Sequence, residues 1–236
     1  MGADKLEGGG AKSVPYERES LLDPAGPDGS LPGRAGRKGF DPDVRDRVIS
    51  AAREAMETQG LDGVKARPIA QQAGISVGSI YNLFGDLDDL IRIVNGQTYD
   101  ELFAIETSAL EAARDAGRSP REQMLALAEA YLEFVAGHQT RWLATLAFNR
   151  SQTEAPPRWY LEKELSLFRI IEDALVSFPG AKDPNRRRLH ARALWASIHG
   201  IVTIAVADGF LMQPIEDVWE QIKIVVNAVA ASLEEA

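Results

Sequence analysis

The chain has 236 residues and not one cysteine. Disulfide staples, thiolate nucleophiles and cysteine-ligated metals are therefore excluded. Histidine is almost as scarce, with only His138, His190 and His199. No H-E-x-x-H or D-x-D spacing accompanies them, and Glu162 and Glu164 do not share a helix face. The chain thus spells out no catalytic or metal-binding constellation and calls for no cofactor. An unbroken apolar run is missing too. The longest, Ala193–Ala207, is interrupted by Ser197, His199, Gly200 and Thr203 and falls short of the ~20 residues a membrane span needs. It reads as a buried helix with no membrane partner. The N-terminus lacks a basic-then-apolar secretory signal, which predicts a cytoplasmic protein. Alternating strand patterns and internal repeats are absent, and the fold class that remains is all-α.

An overall basic charge is lacking as well. The net charge of −9 argues against a protein that coats nucleic acid along its whole surface. The distribution is uneven, however. Residues 34–84 carry eight Lys/Arg and six Asp/Glu, a balance of +2, which leaves −11 for the rest. A small nucleic-acid-reading unit on an acidic body has this signature, although scatter alone could produce it. Residues 1–36 contain Gly8-Gly9-Gly10, Pro15, Pro24, Gly26-Pro27, Gly29, Pro32 and Gly33 with few large apolar groups. Such a composition buries too little surface to offset ordering, so a disordered tail is predicted. Its basic end places Arg37 and Lys38 to reach phosphates or a minor groove. A solvated linker charge is the plain alternative.

What is present centres on Ala66–Gly85, ARPIAQQAGISVGSIYNLFG. Ile69, Ala70 and Ala73 form the apolar face of a short helix. Gly74 stops it in a left-handed C′ position, with Ile75 packing back. Ser76 is an N-cap for a second helix, in which Ile80, Leu83 and Phe84 face inward. Val77, Gly78, Ser79, Tyr81 and Asn82 remain on the other face. They form a surface without lysine or glutamate, suited to lie against a duplex, touch phosphates and read base edges. Before this unit, Asp41 and Pro42 open a helix whose inner face is Val44, Val48, Ala52, Ala55 and Met56. After it, Asp86 caps a long helix. Further helices are predicted near 87–115, 120–137, 140–150, 157–178, 184–209 and 215–234, punctuated by glycine and proline.

Ile69-Ala70, Ala73-Gly74-Ile75-Ser76, Gly78-Ser79-Ile80-Tyr81 and Phe84 closely resemble the helix-turn-helix of TetR-type transcriptional regulators. The resemblance implies a DNA-binding domain over 37–86 and a helical ligand-binding and dimerisation domain over 87–236. It also implies a double-stranded DNA operator, a small organic effector and, most simply, repression that the effector relieves. On the DNA, Lys65, Arg67, Tyr81 and Ser79 would hold phosphates, Asn82 would bond an adenine edge, and Ser76, Val77 and Gly78 would lie alongside. Two residues depart from the family pattern. Leu87 stands where many members have a phosphate-binding lysine, and Lys65 stands where Thr or Ser often caps the first helix.

Most aromatics fall in the second region. Trp195-Ala-Ser-Ile-His199-Gly200 resembles the Trp…His-Gly signature of one group of TetR ligand domains. Candidate ligand contacts are His138, Trp142, Asn149, Trp195 and His199, with ordinary bundle core as the plain alternative for each. Few lysines or arginines fall on inner faces, so an uncharged or weakly polar effector is predicted. Residues 184–209 and 215–234 are apolar over much of their surface. In this family the matching pair forms a four-helix bundle with its mate, which makes the chain a homodimer. The competing classes are an all-α enzyme and a ligand-binding protein that has lost DNA binding.

Overall fold

The computed structural model describes residues 42–234; the expectations for the tail, Arg37, Lys38 and the Asp41 cap lie outside the described residues. Every regular element among the described residues is helical. The order is α1 (Pro42–Gln59), a 3-10 turn (Leu61–Gly63), α2 (Ala66–Ala73), α3 (Val77–Phe84), α4 (Leu87–Asp115) and α5 (Pro120–Gly137). Then follow α6 (Gln139–Ser151), α7 (Arg158–Leu175), a second 3-10 turn (Pro179–Ala181), α8 (Pro184–Ala207) and α9 (Ile215–Glu234).

Local chemistry sets the boundaries. Asp86 accepts the Asp89 N–H at 2.7 Å and opens α4. Ser119 and Glu122 form a reciprocal capping box at the start of α5. The helix predicted to reach residue 178 stops at Leu175. Pro179 disfavours helical backbone at Phe178, whose ring instead turns into the core. The helix predicted to reach 209 stops at Ala207. There Gly209 and Phe210 adopt positive φ, and their N–H groups return to Val206 and Ala205.

Two apolar cores result. The first gathers Val48, Ala52 and Met56 of α1, Ile69, Ala70 and Ala73 of α2, and Ile80 and Phe84 of α3. It continues into Leu90, Ile91 and Val94 of α4 and Phe148 of α6. The second joins Tyr99 and Leu102 of α4, Tyr131 and Val135 of α5, Trp142 of α6, Leu194, Ile198 and Val202 of α8, and Ile222 and Val226 of α9. Both α4 and α6 therefore belong to both cores. The 29 residues of α4 make a strut about 44 Å long at 1.5 Å per residue.

The run Ala193–Ala207 is not buried all round, contrary to the sequence expectation. By length and composition α8 could cross a bilayer, but one face packs on α5, α7 and α9 while the opposite face is bare. Leu189 and Ile204 on that face are 67% and 65% exposed, and Ile224 on α9 is 69% exposed. Ile201 and Val225 rest half-buried against the second core.

Candidate functional site

The α2–α3 corner is built as its sequence requires. Gly74 takes φ 71 and ψ 35. Its N–H reaches the Gln71 carbonyl, and the Ile75 N–H reaches that of Ala70 at 2.9 Å, the two bonds of a Schellman stop. The Ser79 N–H then donates to Ser76 Oγ at 3.2 Å, capping α3. Helix α1 braces the corner from behind. Arg47 Nε donates to the Ala73 carbonyl at 3.2 Å, and the Arg45 guanidinium lies 5.3 Å from the Phe84 ring centre.

On this support Val77, Gly78, Tyr81 and Asn82 face solvent together, with Lys65 and Arg67 exposed at the start of α2. Lys65 occupies the N-cap position without a side-chain cap bond. Ser76 and Ser79 are more committed than their residue type suggests, because their hydroxyls bond each other at 2.9 Å. Gly78 stands apart from these. A Cβ added there would meet only Ser76 Oγ, at 3.9 Å, so nothing inside the protein requires a glycine. Leu87 packs against the first core and offers no cation there, while Asp86, Asp88 and Asp89 flank it.

The second region holds two adjoining, partly open chambers of about 40 and 60 Å³. Glu106, Tyr131, Trp195 and His199 line both. Trp195 stacks on His199 with ring centres 4.5 Å apart and planes 8° off parallel. His199 Nδ1 shares a 2.8 Å hydrogen bond with the Tyr131 hydroxyl, and burial lowers its pKa. Four of the five sequence candidates, Trp142, Asn149, Trp195 and His199, thus meet at this cavity. Asn149 is already engaged there. It donates to the Tyr99 hydroxyl and accepts from that of Tyr160, each at 2.7 Å. His138 is not among the lining residues. It sits at the α5–α6 junction, its ring 4.9 Å from that of Phe134.

Several lining residues lie outside the five candidates, Tyr131, Glu106 and Glu164 among them. The Glu106 carboxyl is buried, and its Oε2 has no hydrogen-bond partner. Burial pushes its pKa from the ordinary 4.5 up to about 8. Its signal in the sequence was its register on α4, four residues after Leu102 and four before Leu110.

Between cavity and corner lies a polar junction that was also missed. Arg141 of α6 is fully buried. Its two terminal nitrogens donate to Glu57 of α1 at 3.0 Å and to Glu101 of α4 at 2.9 Å. Arg53 of α1 donates to the same two carboxylates at 3.0 and 2.8 Å. One turn further along α6, the Thr145 hydroxyl donates to Asn95 of α4 at 3.0 Å. The helix carrying Trp142 is therefore tied by charge to the helix that braces the α2–α3 corner.

Comparison with known proteins finds two separate family matches. Residues 48–93 match the family model for bacterial regulatory proteins of the tetR family, and residues 124–224 match a tetracyclin repressor-like C-terminal domain. The HTH-type transcriptional regulator BetI of Stenotrophomonas maltophilia is 26% identical over 165 residues, which is 70% of this chain and 82% of the relative. A transcriptional regulator from Rhodococcus sp. Rha1 superposes with a TM-score of 0.63 at 17% identity, covering 80% of this chain and 97% of its own. FadR from Bacillus subtilis, solved in complex with stearoyl-CoA, gives 0.61 at 18% identity over 79% of this chain and 97% of its own.

Proposed function

Because the chain belongs to the TetR family of DNA-binding transcriptional regulators, we propose that it acts in the cytoplasm as a homodimeric repressor, released from its operator by a small organic molecule held in the chambers between α4 and α8. The observation that carries this reading is the outward face of α3. Val77, Gly78, Tyr81 and Asn82 are exposed side by side on a corner locked by capping bonds and braced by α1. The Asn82 amide suits a two-point bond to an adenine edge. Tyr81, Ser79, Lys65 and Arg67 flank it with phosphate-binding groups.

The effector acts through a shift between two arrangements of the reading heads, and it favours the arrangement that does not fit DNA. FadR holds stearoyl-CoA on the same fold. The chambers here are far smaller than a long acyl chain, and they suit a compact guest. Arg141 passes the change on, since α6 cannot shift without disturbing its bonds to α1 and α4.

Gly78 supplies the test. In the second position of α3, alanine is the better helix former by up to about 1 kcal/mol, and its methyl has open space. Gly78→Ala should therefore melt at or slightly above the wild-type temperature. If DNA approaches the bare backbone, the same methyl weakens the complex by roughly tenfold. Gel shifts against genomic fragments at low salt, with both proteins, decide the matter. Selective retention of a fragment by the wild type and its loss in the variant are expected. Should the wild type retain no fragment selectively, the repressor reading falls. Equal retention by both proteins would remove α3 from the interface.

A further inference from the structure

We propose that the two chambers take a compact organic ammonium cation, with the Glu106 carboxylate as its counter-ion and Tyr131, Trp142 and Trp195 as its aromatic walls. This rests on the reading of the chambers as the effector site and names the chemistry of the effector.

Glu106 is 6% exposed. Its Oε2 is buried without a partner, and no lysine or arginine among the described residues is ion-paired with it. A buried acid with no partner works against the fold. It sits on the face of α4 that also carries Leu102 and Leu110, where a leucine would pack at no such cost. The acid is therefore best understood by what it faces, and it lines both chambers.

The remaining walls select the sign of the guest. Rings carry negative charge on their faces and attract cations. Trp142 and Tyr131 meet edge to face at 5.8 Å, and Trp195 lies stacked on His199. Burial favours the neutral form of His199, so it does not repel a cation. A second acid, Glu164, lines the larger chamber, whereas lysine and arginine are missing from the lining of both. A water needs about 10–15 Å³ of such space, and chambers of about 40 and 60 Å³ hold several waters' worth. The expectation of an uncharged effector weighed only the scarcity of inner lysines and arginines. It overlooked the acid.

The test is binding of phenyltrimethylammonium and its uncharged isostere tert-butylbenzene to the full chain without DNA, above pH 8 where the Glu106 carboxyl is ionised, followed by tryptophan fluorescence and calorimetry. The cation should bind at least tenfold tighter than the isostere. Glu106→Gln, confirmed as folded by its melting temperature, should lose that preference and still bind the isostere as the wild type does. Equal affinities in the wild type, binding of neither probe, or a preference that survives in Glu106→Gln would each overturn the proposal. Operator retention is scored separately. Its complete absence would sink the repressor reading and leave the cation result standing.

Discussion

Glu106 shows how much one titratable side chain can reveal in a helical core. In the unfolded chain its carboxyl loses its proton near the ordinary 4.5, whereas in the folded protein it holds the proton to about 8. Between these values the native state binds one more proton than the unfolded state. This group therefore makes stability fall as pH rises through that window, and its contribution levels off above about pH 8. Glu106→Gln removes the ionisable group and keeps its shape. The variant should gain a few kcal/mol over the wild type at pH 8–9 and far less at pH 5, as read from urea denaturation at each pH. An identical pH dependence in the two proteins would contradict the assignment. The position was legible in the sequence, since Leu102, Glu106 and Leu110 share one helical face. The missing partner was not, because orphaning depends on α5, α7 and α8. Gly74 and Ser76 were read correctly for the opposite reason, as each acts on backbone within five residues.

Among the elements, α6 carries the most consequence for its length. Helix ends were mostly legible because caps are local, as at Asp86. The two overruns, past Leu175 and Ala207, ran through local stops: Pro179 acting on the residue before it, and the positive-φ pair Gly209 and Phe210. The ion network on α6 was not legible, because Arg141 reaches partners 84 and 40 residues away in the chain. Its energetics are asymmetric. The guanidinium is fully buried, whereas Glu57 and Glu101 are 38% and 32% exposed and both also bond Arg53. Arg141→Met leaves two carboxylates that water and Arg53 can satisfy, and it should cost only about 1–2 kcal/mol. Glu57→Gln combined with Glu101→Gln strands a buried cation and should cost about 3–5 kcal/mol. Urea midpoints of the two variants rank them, and the reverse order would mean that the network is held by its packing on Phe134 more than by charge.

At the scale of the molecule, the bare stripe on α8 and α9 is the feature one chain leaves unresolved. Leu189, Ile204 and Ile224 are each about two-thirds exposed, and the exposed small residues on the same two helices include Ala193 and Ala196 between Leu189 and Ile204, and Ala228 one turn after Ile224. Small side chains between large ones let a second pair of helices approach closely. A Cβ at Gly200, half-buried on the same helix, would meet nothing within 4 Å inside the chain. On the homodimer reading proposed above, two copies would join through this stripe, bury it and present two reading corners to an operator with half-sites one turn apart (~34–36 Å). Ile204→Glu and Ile224→Lys should therefore yield monomers by size exclusion with light scattering at micromolar concentration. Their melting should stay cooperative, and operator binding should be lost while weak non-specific binding survives. Ile201→Glu and Val225→Lys lie on the same two helices but pack on the second core. They should unfold the chain instead of merely dividing it. A wild-type monomer at micromolar concentration would end the dimer reading. So would operator binding undiminished in Ile204→Glu, because a single corner would then be gripping the DNA alone.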